Sequence, residues 1–442
     1  MLIPMNSFRL SPESIEITMK AALAQKLIRK EDTACIFYDL TLLKNRIEYL
    51  LSCFPDGTLH GLAVKANPLK RIMSVVKEIS PSIGVEAASV GEVSLALRNG
   101  YFPHQVIFDS PAKTMEDISF AFNHGIRLNI DNLYEVERVA AVYSALDKTN
   151  PDDGIRPASV GIRINPQIGV GTILESSVAG EYSKFGIPIR YNRSELEYVL
   201  LKYHWINGIH LHVGSQGCPM SMLTEGVGVL YDFILPINQK RIIAGMPPVS
   251  VFDIGGGLPV SYHRAKQAPQ MADYVSNLRA RAPQLFINEA FKIITEFGRW
   301  TYTNAGWTVS RVEYVKHDPG ITTLMLHVGA DLFVRECLNP TDWTHEFCVL
   351  DSQGRLKTGT ARQPFNLAGP LCFSGDIIAK NVTLPEVVPG DFLIIHDTGS
   401  YSFSMWSRYN SRQTPRIIGY QGDHFEILRE REALEQLMGF WE

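Results

Sequence analysis

The sequence predicts an α/β fold, a (β/α)8 TIM-like barrel over residues 35–306 followed by a C-terminal β-rich domain over 307–442, with residues 1–34 as a segment able to pack on the latter. Three observations predict it. Short β-branched runs alternate with amphipathic helical stretches from about Ala34 to Ala305, the spacing of repeated strand–helix units in a parallel sheet. These runs number near eight, which favours closure into a barrel over an open sheet. After about Trp307 the helices give way to strands separated by Gly, Pro and Asp. A chain of 442 residues, 45% of them hydrophobic, is also too long for one compact core.

In chain order the predicted barrel runs are 34–38, 61–64, 106–108, 127–130, 160–164, 208–212, 251–254 and 292–296. The strands expected in the second domain are 308–315, 322–327, 347–350, 392–396 and 416–420, with a Pro-Gly-Asp turn at 387–391 and little helix until Arg429. Lys65, His212, Gly255 to Gly257 and Glu296 to Arg299 fall at or just after predicted strand ends, the face on which barrels assemble their chemistry. Net charge is −4 from 42 basic and 46 acidic residues, well mixed, so no nucleic-acid or anionic-membrane surface is expected and a small-molecule partner is. The six cysteines show no paired spacing, which predicts neither a disulfide framework nor a zinc knuckle. With no signal-like start and no apolar run of membrane-spanning length, the expectation is a soluble cytoplasmic protein.

Lys65 stands in Gly61-Leu62-Ala63-Val64-Lys65-Ala66-Asn67-Pro68, at the end of an apolar run that reads as a buried strand entering a turn. A lysine in an apolar wall is costly unless paired or chemically used, and a Schiff base with an aldehyde cofactor is one such use. A strand-end lysine reaching water fits this run equally well. Gly255-Gly256-Gly257 directly follows a predicted strand, so its backbone amides can converge on a phosphate, although a tight turn accounts for a glycine triplet too. Gly298 and the Arg299 guanidinium strengthen the phosphate reading. His210 and His212 alternate on one strand and share a face. No third ligand of suitable spacing accompanies them, so no metal is expected, and a ring stacked on an aromatic cofactor is the better use for His212. Glu296 ends a strand where a carboxylate needs a positive partner. A protonated pyridine nitrogen would serve, and so would Arg299. Cys372, in Gly369-Pro370-Leu371-Cys372-Phe373-Ser374-Gly375-Asp376, reads on its own as a buried filler.

Together these runs resemble the fold-type III pyridoxal-phosphate decarboxylases, whose barrel is alanine racemase-like, and most closely the diaminopimelate decarboxylase branch. The resemblance covers nearly the whole chain. Its carriers are Ala63 to Asn67; Glu86 with Ser89, Gly91 and Glu92; Lys113; Arg163 with Asn165 and Pro166; and Lys184-Phe185-Gly186. They continue through His210 to Gln216, Asp253 to Gly257 with Pro259, and Glu296, Gly298 and Arg299. The last are Cys372 with Ser374 to Asp376, Gly399 with Tyr401, Ser404-Met405 and Tyr409-Asn410. The resemblance implies pyridoxal 5'-phosphate as cofactor, an amino-acid substrate and a homodimer with sites at the interface. Lys65 would carry the cofactor and His212 would stack on its ring. Ser215, Gly255, Gly256, Gly257, Gly298, Arg299 and Tyr401 would surround the phosphate, and Glu296 would keep the ring nitrogen protonated. Cys372 would come from the partner subunit and supply a proton.

The departures bear on substrate. Phe373 stands where the family usually has an acidic residue that reads a distal ammonium, and Asn339 stands where the diaminopimelate branch has a tyrosine four residues after the retained Arg335. Arg299, Arg335, Phe373 and Asn339 are therefore the candidate substrate residues. Glu336 could answer an amine, and Phe297 and Trp300 could reshape the pocket floor. The expectation is a specialised substrate, either a conjugated amino acid of a siderophore or antibiotic pathway or a D- or L-diamino acid. The alternatives are a true meso-diaminopimelate decarboxylase, an amino-acid racemase, and a non-catalytic binding protein of the antizyme-inhibitor kind.

Overall fold

The computed structural model describes residues 8–149, 159–287 and 290–442. Contacts divide the chain into a barrel unit, 47–260 with 268–300, and a β-rich unit, 1–46 with 261–267 and 301–442.

The barrel unit is built on Leu59–Ala63, Gly84–Ala87, Val106–Asp109, Arg127–Ile130, Val160–Asn165, Gly208–His210, Val251–Asp253 and Lys292–Thr295. Each pairs in parallel with the next, and the last pairs with the first, closing eight strands into a ring. Inside, Leu59, Ile107, Val251 and Ile294 form an apolar layer. A side chain at Gly61 would stand 2.5 Å from Ile107 Cδ1 and one at Gly161 2.4 Å from Asn129 Oδ1, so small residues are what let the interior close. Two residues further along the strands the interior turns ionic, because side chains alternate with period 2 and the next inward layer holds Glu86, Asp109, Arg163, His210, Asp253 and Glu296. Register places Arg163 beside His210 and His210 beside Asp253.

Two corrections to the predicted elements follow. The run at 34–38 is not the first barrel strand. As Ala34–Asp39 it lies in a six-stranded sheet, antiparallel to Gly306–Arg311 and parallel to Arg416–Gln421, so the barrel unit starts later than residue 35. The strand that replaces it in the ring is Gly84–Ala87, which the sequence hides because it is only four residues long and Val85 is its one strong strand former. Further, the 24-residue helix Met220–Ile243 is long and apolar enough to cross a membrane, contrary to expectation. Leu223, Val227, Leu230, Phe233, Ile234 and Ile237 are buried, as in a core helix, and Pro236 lies inside it.

In the β-rich unit the six-stranded sheet and the helix Pro12–Ala24 share a core. Ile15, Met19 and Ala22 meet Phe37, Trp307, Val309, Leu350, Ile394 and Ile418, and Phe37 stacks on Trp307 at 4.2 Å. A second sheet of four strands comprises Tyr314–Asp318, Ile321–Met325, Arg362–Ala368 and Ile377–Pro385. Residues 1–7 of the segment expected to pack here lie outside the described residues.

Candidate active site

The ionic layer and the loops that leave the barrel strands build one site. Lys65 sits just past the first barrel strand in a one-turn helix, Val64–Ala66, not within an apolar wall. Its side chain is 42% exposed, and its amine donates to both oxygens of Glu86, at 2.8 and 2.6 Å. Glu86 is fully buried. Burial pushes its carboxyl up to about 7 against the pull of Lys65, with Glu296 and Asp109 adding to the rise.

Asp109 accepts a 2.5 Å bond from Arg163 Nη1, and the Arg163 guanidinium also lies 4.6 Å over the Phe185 ring. Burial alone would raise Asp109, but Arg163, His210, Lys113 and Lys65 outweigh it and hold the acid at about 2. Burial raises Asp253 well above the usual carboxylate range, and the neighbouring Glu296 charge adds to that. Glu296 goes the other way. Burial opposes its ionisation, yet His210, Lys65 and His212 together lower it.

His212 points its Nδ1 at the Gly256 amide, which donates at 3.2 Å. That nitrogen is therefore an acceptor and the ring is neutral, in keeping with burial pushing it far below its ordinary value. Gly255 and Gly257 adopt φ of +64° and +102°. A side chain at Gly256 would stand 2.4 Å from the Glu296 carbonyl oxygen, and one at Gly257 2.0 Å from that of Gly214, so backbone meets backbone where the loops of three strands converge. A side chain at Gly298 would stand 2.8 Å from Ala66 Cβ and 3.0 Å from Ala63 Cβ. Arg299 Nε donates to Ser215 Oγ at 2.9 Å, and Gln216 is pinned by two bonds to the Val260 backbone.

Thus Lys65, His212, Ser215, Gly255 to Gly257, Glu296, Gly298 and Arg299 all lie on the loops and strand ends of one barrel. Glu86, Asp109 and Asp253 have no role that the sequence alone assigns. A carboxylate inside the buried run Gly84-Val85-Glu86-Ala87 is the available signal for the first. His210, Asp253 and Glu296, far apart in the sequence, bring side-chain N and O atoms within 4.8 Å of one another. Phe297 and Trp300 do not reshape a pocket floor. Phe297 is buried against Phe54 and Tyr274, and Trp300 stacks on Tyr49 at 6.2 Å.

The remaining candidates belong to the β-rich unit. Cys372 is exposed, so it is not the buried filler its neighbours suggest. Its amide donates to Asn410 Oδ1 at 2.7 Å, and Tyr409 Oη donates to its carbonyl. Phe373, 39% exposed, lies edge-on to Tyr409. Arg335 Nη2 donates to the Tyr401 carbonyl at 3.0 Å, with the guanidinium over the rings of Trp343 and Tyr401. Tyr401 has a left-handed φ of +54°. Asn339 donates to Asp342. Glu336 is not presented to an amine. It is buried 3.1 Å from His345 Nε2, which lowers its acid.

Comparisons with known proteins agree with this arrangement. The family model described as pyridoxal-dependent decarboxylase, pyridoxal binding domain, matches residues 40–303. A diaminopimelate decarboxylase of Neisseria meningitidis serogroup B is 30% identical over 411 residues, 92% of each chain. One from Aquifex aeolicus is 26% identical over 425 residues, 96% of this chain and 95% of the relative. The crystal structure of the Helicobacter pylori diaminopimelate decarboxylase complexed with L-lysine superposes with a TM-score of 0.81 at 26% identity, covering 95% of this chain and 99% of that one.

Proposed function

We propose, from the premise that this chain belongs to the pyridoxal-dependent decarboxylase family, that it removes the α-carboxylate of a specialised amino acid, a conjugate or a simple diamino acid, in place of meso-diaminopimelate. The chain is a pyridoxal-phosphate-dependent carboxy-lyase related to diaminopimelate decarboxylases. The observation that carries the reading is the Lys65 amine at the barrel mouth on the same strand-end face as a glycine cradle and a buried, ionised Glu296.

The residues fit pyridoxal phosphate. The backbone at Gly255 to Gly257 leaves no room for side chains, and the nitrogens nearest the buried Glu296 carboxylate are those of His210 and His212, no closer than 3.5 and 3.7 Å. Lys65 would hold the cofactor through its amine. Ser215, Gly255 to Gly257, Gly298 and Arg299 would take the phosphate, His212 the ring face and Glu296 the ring nitrogen. Once bound, the cofactor supplies an electron sink for the charge left when carbon dioxide departs.

The chain's own groups do the rest. Glu86 holds the Lys65 amine in place and, with its carboxyl near 7, can exchange a proton with it at neutral pH. His212 has its Nδ1 committed to Gly256, so its proton is on Nε2 and its ring orientation is fixed. Cys372, exposed on its loop, is the proposed proton donor to the substrate carbon that loses carbon dioxide and would act in the site of the partner subunit of a homodimer.

Substrate choice rests on what the loop at 372–376 and the Arg335 helix offer. Phe373 presents a ring where a carboxylate would be needed to pair a buried ammonium, and a charge mispaired in such a site costs several kcal/mol, roughly 3–5. Glu336 does not compensate, being committed to His345. A conjugated amino acid is the favoured substrate. A second reading, a true meso-diaminopimelate decarboxylase, is favoured by the relatives named above, which match this chain over more than nine-tenths of its length.

Carbon dioxide release by the purified protein with added pyridoxal phosphate separates the two. Meso-diaminopimelate would be compared with D- and L-ornithine, D- and L-lysine and amino-acid conjugates. Release from a conjugate or simple diamino acid alone is the expected outcome. Fast release from meso-diaminopimelate would overturn the substrate assignment, and none from any of them would overturn the decarboxylase reading.

A further inference from the structure

We propose that His210 is a positioning residue of the reaction: an imidazolium, charged at neutral pH, beneath the site that keeps Glu296 ionised and commits one of its two oxygens. The proposal rests on the reading of Glu296 given above.

His210 is completely buried at the level of the ionic layer. Its Nε2 lies 3.5 Å from Glu296 Oε1 and its Nδ1 3.7 Å from Asp109, with Asp253 closing the third side. Both ring nitrogens thus face carboxylate oxygens. A neutral ring carries one proton and would turn a lone pair toward one of those oxygens, whereas an imidazolium donates toward both. Charge balance points the same way. Four buried carboxylates, Glu86, Asp109, Asp253 and Glu296, face the cations Lys65 and Arg163, while Lys113, which also acts on Asp109, is balanced by Glu135 at 3.0 Å. A proton on Asp253 and a charge on His210 leave three of each sign, with His212 neutral. The surrounding acids raise His210 to about 9 even though burial acts to lower it, which agrees with the geometry.

The consequence concerns which face Glu296 offers. Oε1 lies against the charged ring. Oε2 lies 3.7 Å from His212 Nδ1, a nitrogen already accepting from Gly256 and unable to donate. Oε2 therefore keeps its lone pairs for a cationic ring nitrogen, and the His210 charge keeps the carboxylate from neutralising itself by taking up that proton. The two histidines of His210-Leu211-His212 divide the work, one charged and below, the other neutral and beside the reacting group.

Nitrogen NMR of the apoenzyme containing nitrogen-15 histidine reads the His210 ring without substrate or cofactor. The expected result is an imidazole with both nitrogens protonated near neutral pH, titrating only toward about 9, whose signals vanish in His210→Asn. If that variant does not fold, His210→Gln makes the same assignment. A singly protonated His210 near neutral pH overturns the proposal. In the holoenzyme, with an amino acid that supports carbon dioxide release, His210→Asn should lower kcat about tenfold near neutral pH. It should also move the acid limb of the kcat profile upward by about one pH unit, with KM changed less than about twofold. A loss of equal size at every pH would mark a packing role and overturn the assignment. Failure to release carbon dioxide from any amino acid would instead sink the underlying reading, and is told apart because the ring signal is measured on the apoenzyme.

Discussion

Burial and the Lys65 ammonium pull the Glu86 carboxyl in opposite directions, and burial wins, leaving it near 7. A carboxyl raised in the folded state contributes stability that is fully present below its ordinary value of about 4.5 and lost as pH climbs through 7. Glu86→Gln removes that loss. Its unfolding free energy should therefore rise relative to wild type between about pH 5 and pH 8, by at most about 3 kcal/mol, checked by denaturant unfolding of both proteins over that range. Parallel curves would show that Glu86 is already ionised at no cost. Asp109 has the opposite sign: its stabilisation is present above about 4 and disappears as pH falls through 2. At position 373 the prediction is chemical. Phe373→Glu should raise the rate on meso-diaminopimelate relative to the native substrate by about tenfold or more, measured as a ratio of kcat/KM, and an unchanged ratio would mean that Phe373 does not select.

Among the elements, the loop Gly255 to Gly257 is the most constrained. At Gly257 a left-handed φ coincides with a carbonyl oxygen 2.0 Å from where a side chain would begin. Gly257→Ala should cost about 1–3 kcal/mol in denaturant unfolding and weaken pyridoxal phosphate binding, followed by absorbance titration. Wild-type cofactor affinity in that variant would argue against a phosphate cradle here. This loop is legible in the sequence because three glycines directly after an apolar strand mark a turn lined by backbone alone. Gly84–Ala87 is not legible, since its place in the ring comes from neighbours on both sides and its inward residue is a glutamate. Ala34–Asp39 misleads for the converse reason: its apolar run suits a barrel strand as well as the centre of another sheet, and only pairing with residues hundreds of positions away decides. Lys65, His212, Glu296 and the glycines stand out as single residues, but the hydrogen bonds that give each its charge state depend on directions that a sequence does not contain.

For the whole molecule, the proposed dimer makes a prediction that a monomeric site does not. If Lys65 and Cys372 of one site come from different subunits, Lys65→Ala and Cys372→Ala proteins, each inactive alone, should recover about a quarter of wild-type carbon dioxide release after mixing and re-equilibration, since random exchange gives one intact site in about half the dimers. No recovery, with exchange verified by tagged subunits, would place both groups in one chain. Family and reaction are readable because motifs spread over the whole chain keep their order. Substrate is less so: Phe297 and Trp300, which look like pocket residues in the sequence, are packed in the barrel wall, and Glu336, which looks available, is committed to His345.

The central place of Ala34–Asp39 in its sheet sets a timetable for synthesis. Cys35 must find Arg416, a partner translated 381 residues later. At about 5–20 residues per second that strand waits some tens of seconds, first with both edges unmatched and, once Gly306–Arg311 is made, with one. The barrel ring, closed when Lys292–Thr295 meets Leu59–Ala63, has all its strands much sooner. A ribosome stalled between those two points would hold a finished barrel beside an open sheet edge, the kind of surface that chaperones cover and aggregates exploit.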